Sequence, residues 1–266
     1  MIASELIAKI EAHAPRELAW ERDPIGLQIG DPNRDIKTVM TTLDVRPEVV
    51  TEAIEQHVDF IFAHHPVMFR PAKNLDLSQP QNQMYADLIK HDIVVYAAHT
   101  NLDAATDGMN DWLAELLGIT QTKPILPNAD GVTGLGRIGT LATPMTVAQF
   151  AQQVRATFDV ATVRVIANDL ERPIQTIAVL GGDGGSEYPA ALAAGADAYV
   201  TADLYYHVGH DVLADDFVVI DPDHHMEAIA KPKMAELVQR WQVENNWALT
   251  RVFASTVNTD PYTYIF

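Results

Sequence analysis

A two-part α/β fold is predicted by three observations. A strand–helix–strand pattern occurs twice, strands and helices alternate along the chain, and four apolar strands each end in residue types that bind metals. The 266 residues suffice for one large domain or two small ones, and 48% hydrophobic content marks a globular chain.

The first unit opens at Ile36-Lys37-Thr38-Val39 and reaches Val58-Asp59-Phe60-Ile61-Phe62-Ala63. Its helix starts near Pro47, a favoured first-turn residue, and runs through Val49, Val50 and Ile54. Phe60–Ala63 is short and wholly apolar, as in a buried strand. Ile93–Ala97 is the next strand, and Asn110 to Leu117 is helical, stopped by Gly118. Pro124, Pro127, Gly131, Gly134 and Pro144 make 122–145 the expected crossover between halves. Thr146-Val147-Ala148-Gln149 has the pattern of a capping box and opens a helix to about Phe158.

The second unit runs from Ile174-Gln175-Thr176-Ile177 to Ala196-Asp197-Ala198-Tyr199-Val200-Thr201, with a helix from about Pro189 to Gly195. Ile36 to Asp59 and Ile174 to Asp197 are both 23 positions apart, as expected of a duplicated βαβ unit. In that register Ala202-Asp203 occupies the place of His64-His65. Phe217–Ile220 is a strand, followed by a helix from about Met226 to Trp241. The expected division is a first half over 1–125, a second over 126–215, and a C-terminal segment 216–266 that packs back on the first half.

Composition narrows the chemistry. With 18 basic residues against 36 acidic ones, the net charge of -18 disfavours nucleic acid and anionic membranes as partners. The chain has no cysteine, which excludes disulfides, thiolate metal sites and a cysteine nucleophile. No apolar stretch approaches a bilayer span, and the first residues lack the basic-then-apolar pattern of a signal peptide; a cytoplasmic protein is expected. Any metal is then held by His, Asp and Glu, a donor set suited to zinc, iron or manganese.

Four strand ends carry such residues. They are Ala63-His64-His65-Pro66, Ala98-His99-Thr100-Asn101-Leu102-Asp103, Thr201-Ala202-Asp203 with His207, and Asp221-Pro222-Asp223-His224-His225-Met226-Glu227. Ligands of open α/β sheets bind beyond the carboxyl ends of strands, so these segments are expected to converge. Adjacent histidines at a strand end can serve one ion or one ion each. His224 and Glu227, three apart at a helix start, share a face. Taken singly, each pattern also fits polar loop or capping residues. Gly181-Gly182-Asp183-Gly184-Gly185-Ser186 matches no phosphate-binding spacing and reads as a tight turn.

These stretches resemble the Nif-three-like dinuclear metal-centre family, whose members are often labelled GTP cyclohydrolase 1 type 2 homologs. Further matches are Gly26-Leu27-Gln28-Ile29-Gly30, Asn110-Asp111-Trp112-Leu113 and Asp260-Pro261-Tyr262. The resemblance implies a Nif-three-like fold with a metal site between the halves, and two divalent ions held by His64, His65, Asp103, His224 and Glu227. Glu227 would bridge; His65 and Asp103 would favour one ion, His64 and His224 the other. His99 and His207 would orient ligands or move protons. It further implies a metal-dependent hydrolase acting on a small molecule, and a homo-oligomer of hexameric, toroidal form. Metal delivery without turnover and a metal-stabilised scaffold are the alternatives. The larger members' inserted domain has no room here. Two departures stand out: Asp223 and Ala202 occupy positions where the family pattern usually has glycine.

Overall fold

The structure, a computed structural model, describes residues 1–265. The first elements are α1 (Ala3–His13), β1 (Gly26–Ile29), β2 (Thr38–Thr42), α2 (Pro47–Glu55), β3 (Phe60–Ala63), α3 (Pro80–Lys90), β4 (Val94–Ala97) and α4 (Thr100–Ala104). Next come α5 (Met109–Leu116), β5 (Thr120–Lys123), β6 (Leu126–Pro127), β7 (Gly134–Leu135), β8 (Arg137–Thr146), α6 (Val147–Thr157) and β9 (Arg164–Ile166). The chain continues through β10 (Pro173–Asp183), α7 (Tyr188–Ala193), β11 (Ala198–Ala202), α8 (Tyr206–Ala214), β12 (Val219–Asp221), α9 (Ala230–Asn245) and β13 (Arg251–Ala254).

The chain divides into two compact units. The first comprises Met1–Leu102 with Ala228–Asp260, the second Asp103–Glu227 with Pro261–Phe266. The expected boundaries near 125 and 215 both fall inside the second unit. The physical reason lies in α5, which joins that unit's sheet: Asn110 Oδ1 accepts from the Gly181 N–H at 3.0 Å. Asp111 also pairs with Arg137 of β8, whose guanidinium donates to the carbonyls of Ala105, Gly134 and Gly136. Residues 228–260 return to the first unit through α9 and β13, both packed beside β2.

The first unit is built on a five-stranded sheet of order β1-β4-β3-β2-β13, in which only β1 runs antiparallel to its neighbour. β3 and β4 are buried along their whole length, as their uninterrupted apolar runs require of central parallel strands. Met40, Ile61 and Val95 meet Val49, Val50 and Ala53 of α2 and Leu88 of α3 in one apolar core.

A six-stranded sheet of order β5-β8-β10-β11-β12-β9 forms the second unit. β10, β11 and β12 are parallel, while β5, β8 and β9 run antiparallel to their partners. Its core gathers Ile138, Ala178, Leu180, Tyr199, Phe217 and Val219. The fold is thus mixed α/β, with a parallel βαβ in each unit: β2-α2-β3 and β10-α7-β11.

The 122–145 segment departs from the expected crossover. It forms β5, the β6–β7 hairpin and most of β8, which pairs with both β5 and β10. Pro144 lies towards the far end of β8, and Gly134 and Gly136 adopt positive φ at its near end; between them the pairing with β10 shifts register, Ile174 facing Met145 and Thr176 facing Thr140. The capping box forms as read: Gln149 N–H donates to Thr146 Oγ1 and the Gln149 side chain accepts from Thr146 N–H. No helix among the described residues is long and apolar enough to cross a membrane.

Candidate metal centre

In the first unit the histidine pair extends the parallel ladder by two residues. His64 N–H donates to the Thr42 carbonyl at 3.0 Å and His65 N–H to the Leu43 carbonyl at 2.9 Å. The backbone at the end of β3 is therefore rigid when the side chains leave it. His99 arrives from the end of β4, one strand over. The three rings pack edge to face or tilted, with centroids 5.0 to 5.5 Å apart. One nitrogen from each of His64, His65 and His99 lies within 4.8 Å of the others, so this group can hold a metal ion.

The opposite sides of these rings are engaged by acceptors. His65 Nδ1 meets Asp44 Oδ1 at 2.7 Å, and Asp44 Oδ2 in turn accepts from the Thr259 hydroxyl at 2.5 Å. His64 Nδ1 meets the Ala98 carbonyl at 2.9 Å, and His99 Nδ1 meets both oxygens of Asp23 at 3.0 and 3.1 Å. Carbonyls and ionised carboxylates only accept, so Nδ1 carries the hydrogen in each ring and Nε2 is the ligand-side nitrogen. The residues present therefore fit a metal: oriented imidazoles, each with its far nitrogen hydrogen-bonded, are the usual environment of metal-bound histidine. Burial alone would raise the Asp23 pKa, but the His99 hydrogen bond and charge, with the Thr100 hydroxyl and N–H, bring it below the usual carboxylate value.

The second unit presents its own ligand types. His224 and Glu227 lie on a 3₁₀ segment, His224–Ile229, with the α-helix proper starting at Ala230 rather than near Met226. In a 3₁₀ helix residues three apart eclipse, and His224 Nε2 lies 3.2 Å from Glu227 Oε2. His224 Nδ1 meets Asp203 Oδ2 at 2.6 Å. Glu227 and Asp103 are only 2% and 8% exposed. Asn110 links their surroundings: its Nδ2 donates to the Asp103 carbonyl at 3.0 Å while its Oδ1 takes the Gly181 N–H. A side-chain carbon at Gly181 or Gly182 would stand 2.7 or 2.9 Å from Glu227 Oε1, so the glycine turn leaves the room that this carboxylate occupies. Asp183, at the end of the same turn, is raised in pKa by burial and then by the neighbouring Asp203 charge.

Of the two residues expected to handle protons, His99 joins the first unit's cluster. His207 stands on exposed α8 in ring contact with Tyr206 and His210, 5.4 and 6.4 Å between centroids. The two glycine replacements resolve differently. Asp223 has φ +77°, the left-handed backbone that glycine usually supplies, and its Oδ2 accepts from the Tyr264 hydroxyl at 2.8 Å. Ala202 sits buried in β11 and is not among the positive-φ residues, so a methyl group is accommodated. The sequence reading missed Asp44, Asp23 and the service of Asp203 to His224. Only Asp203 gave a signal, through its place in the repeat.

A family model described as Duf34/NIF3 (NGG1p interacting factor 3) matches residues 1–261. The chain belongs to the Duf34/NIF3 family. Among Duf34/NIF3 relatives, a Streptococcus pneumoniae protein named GTP cyclohydrolase 1 type 2 homolog is 44% identical over the whole of both chains. A relative of that name from Listeria innocua is 31% identical over 371 aligned positions, covering 98% of each chain, so it carries residues with no counterpart in these 266. The crystal structure of a Bacillus cereus protein related to NIF3 matches with a TM-score of 0.95 at 29% identity, covering 100% of this chain and 99% of that one.

Proposed function

We propose that this Duf34/NIF3 chain is a dinuclear, metal-dependent hydrolase of a small molecule, with His64, His65, Asp103, His224 and Glu227 as ligands of two divalent ions. Zinc, iron and manganese suit the donor set. The observation that carries the reading is the common orientation of four histidines, each with Nδ1 on a carboxylate or carbonyl and Nε2 on the ligand side. Glu227 would be the carboxylate shared by both ions, as the family resemblance implies, and Asp103 would supply the further negative charge that two cations demand. Bound divalent ions would supply Lewis-acid activation of water and of the scissile group. His99, oriented by Asp23, would hold or move a proton at its Nε2, and exposed His207 would meet incoming substrate.

The relatives' name makes a purine nucleotide the first substrate to screen, with phosphate esters next. The assembly is a homo-oligomer, a hexamer by family resemblance, that acts in the cytoplasm; nucleic acid and membrane are not its partners. A second reading, metal delivery without turnover, draws on His64, His65 and His99, three nitrogens of one unit that can hold an ion by themselves.

Elemental analysis of untagged protein tests both, with the His64→Ala/Glu227→Ala double variant beside it. About two ions per chain in the parent and almost none in the variant support the dinuclear centre. One ion that survives in a His224→Ala/Glu227→Ala variant and is lost with His99→Ala favours delivery. Turnover that persists without metal rejects the hydrolase reading.

A further inference from the structure

We infer that Asp203 is a positioning residue that fixes the tautomer of His224, holding the hydrogen on Nδ1 so that Nε2 is the metal-side nitrogen. The inference builds on the proposal above that His224 is a ligand. Its basis is an exchange of roles between the two repeats. Asp203 is the sixth residue after Asp197, and His65 the sixth after Asp59, so the two hold one repeat position. Gly182 likewise occupies the place of Asp44. In the first repeat the strand end carries the imidazole, His65, and the preceding loop carries its carboxylate, Asp44. In the second the strand end carries the carboxylate. Gly182, without a side chain, lies where an added carbon would come within 3.2 Å of His224 Nε2. The ring is thus brought in from the segment after β12, and the carboxylate–imidazole pair is rebuilt with its members on different elements.

The geometry is specific. His224 Nδ1 and Asp203 Oδ2 are 2.6 Å apart, in the range of a charge-assisted bond. Asp203 has φ +54°, a left-handed backbone that aspartate tolerates better than most residues. A neutral histidine in water favours the hydrogen on Nε2, the wrong site for ligation through that atom. An ionised carboxylate at Nδ1 reverses the preference because it only accepts; Glu227 Oε2 competes for the hydrogen at Nε2, but from 3.2 Å against 2.6 Å for Asp203, so the shorter contact at Nδ1 prevails. Both side chains are partly exposed, 35% for His224 and 42% for Asp203, so solvent is available to replace the carboxylate once it is removed.

The test is nitrogen-15 NMR of the imidazoles in metal-stripped, full-length protein, well above the ordinary histidine pKa of about 6.5. His224→Gln assigns the signal. Asp203→Gly removes the acceptor while suiting the left-handed backbone, and circular dichroism checks the fold. Asp183→Asn serves as a control for loss of a nearby negative charge. Parent and Asp183→Asn are expected to show Nδ1–H at His224, and Asp203→Gly mainly Nε2–H. Retention of Nδ1–H in folded Asp203→Gly, or Nε2–H in the parent, overturns the inference. Zinc titration of the same samples should show affinity about 10- to 100-fold lower in Asp203→Gly. A tautomer switch with unchanged zinc affinity would remove His224 from the ligand set and reject the ligand reading, leaving the pairing intact.

Discussion

Asp59 and Thr38 hold each other twice. The Thr38 N–H donates to Asp59 Oδ2 at 2.9 Å, and the Asp59 N–H donates to the Thr38 carbonyl at 3.0 Å; Oδ2 also takes the Lys37 N–H at 2.8 Å. Asp197 does the same with Thr176 and Gln175 in the second unit, at 2.7 to 2.9 Å. One carboxylate thus stitches the entry of the helix-following strand to the strand before the helix, in both units. Hydrogen bonds to a charged group contribute about 1.5–3 kcal/mol, less where solvent competes. Asp59→Ala should therefore cost about 1–2 kcal/mol and Asp197→Ala, at an exposed residue, less. Urea unfolding midpoints check the order, and an equal or reversed order contradicts the account.

The Asp44 carboxylate is held by Thr259 and itself holds His65. Asp44→Asn should weaken zinc binding about 10- to 100-fold, the usual effect of losing a ligand's hydrogen-bond partner. Thr259→Val should weaken it by a smaller factor. Competition with a chromophoric chelator measures both. An Asp44→Asn protein that binds like the parent would show that His65 needs no such support.

Gly182 has φ +64° and lies against Glu227 and His224. Gly182→Ala should lose about 1–2 kcal/mol from left-handed strain and displace the Glu227 carboxylate. The expected result is a modestly lower melting temperature with a larger proportional loss of bound metal. Normal metal content in the folded variant would mean that Glu227 is not a ligand.

The left-handed backbone at Asp223 makes a ranking possible. Asp223→Ala loses the Tyr264 hydrogen bond and keeps the strain, whereas Asp223→Gly loses the bond and relieves it. Alanine should be the less stable by about 1 kcal/mol, read from thermal or urea unfolding. Equal stability would place the strain elsewhere.

Asp23 gives a pH dependence with a definite sign. Its folded-state pKa lies below the ordinary carboxylate value, so the ionised form stabilises the fold. That stability is present above the unfolded-state pKa, about 3.9, and is lost as pH falls through the lower folded-state value. Asp23→Asn should flatten the acid limb of stability against pH below about 4. Acid limbs that coincide for parent and variant would exclude a role for Asp23 in it.

Local signals carried the reading where interactions are local. Phe60–Ala63 is apolar over its full length because β3 is flanked by strands on both sides, and Thr146 and Gln149 satisfy each other three residues apart. The histidines and their strand ends were legible for the same reason. β8 was hidden because Pro144 looks like a breaker, although it lies near the strand's exposed end. The short β9 and β13 lacked a pattern of their own. The partners of the histidines were the least visible, since Asp44 and Asp23 lie 21 and 76 residues from the rings they orient. No periodicity connects such distances; the sheet does.

The β6–β7 hairpin has a modular consequence. Pro127 and Gly134 are paired across an antiparallel register, and residues 128–132 between them are exposed. The two ends of that tip are already side by side, so a chain of any length spliced there begins and finishes at one doorway. Closing a longer loop adds only about 0.6 kcal/mol per doubling of length. The second unit therefore carries a natural port for a guest domain, at which a reporter or affinity module can be inserted while both sheets keep their strand order.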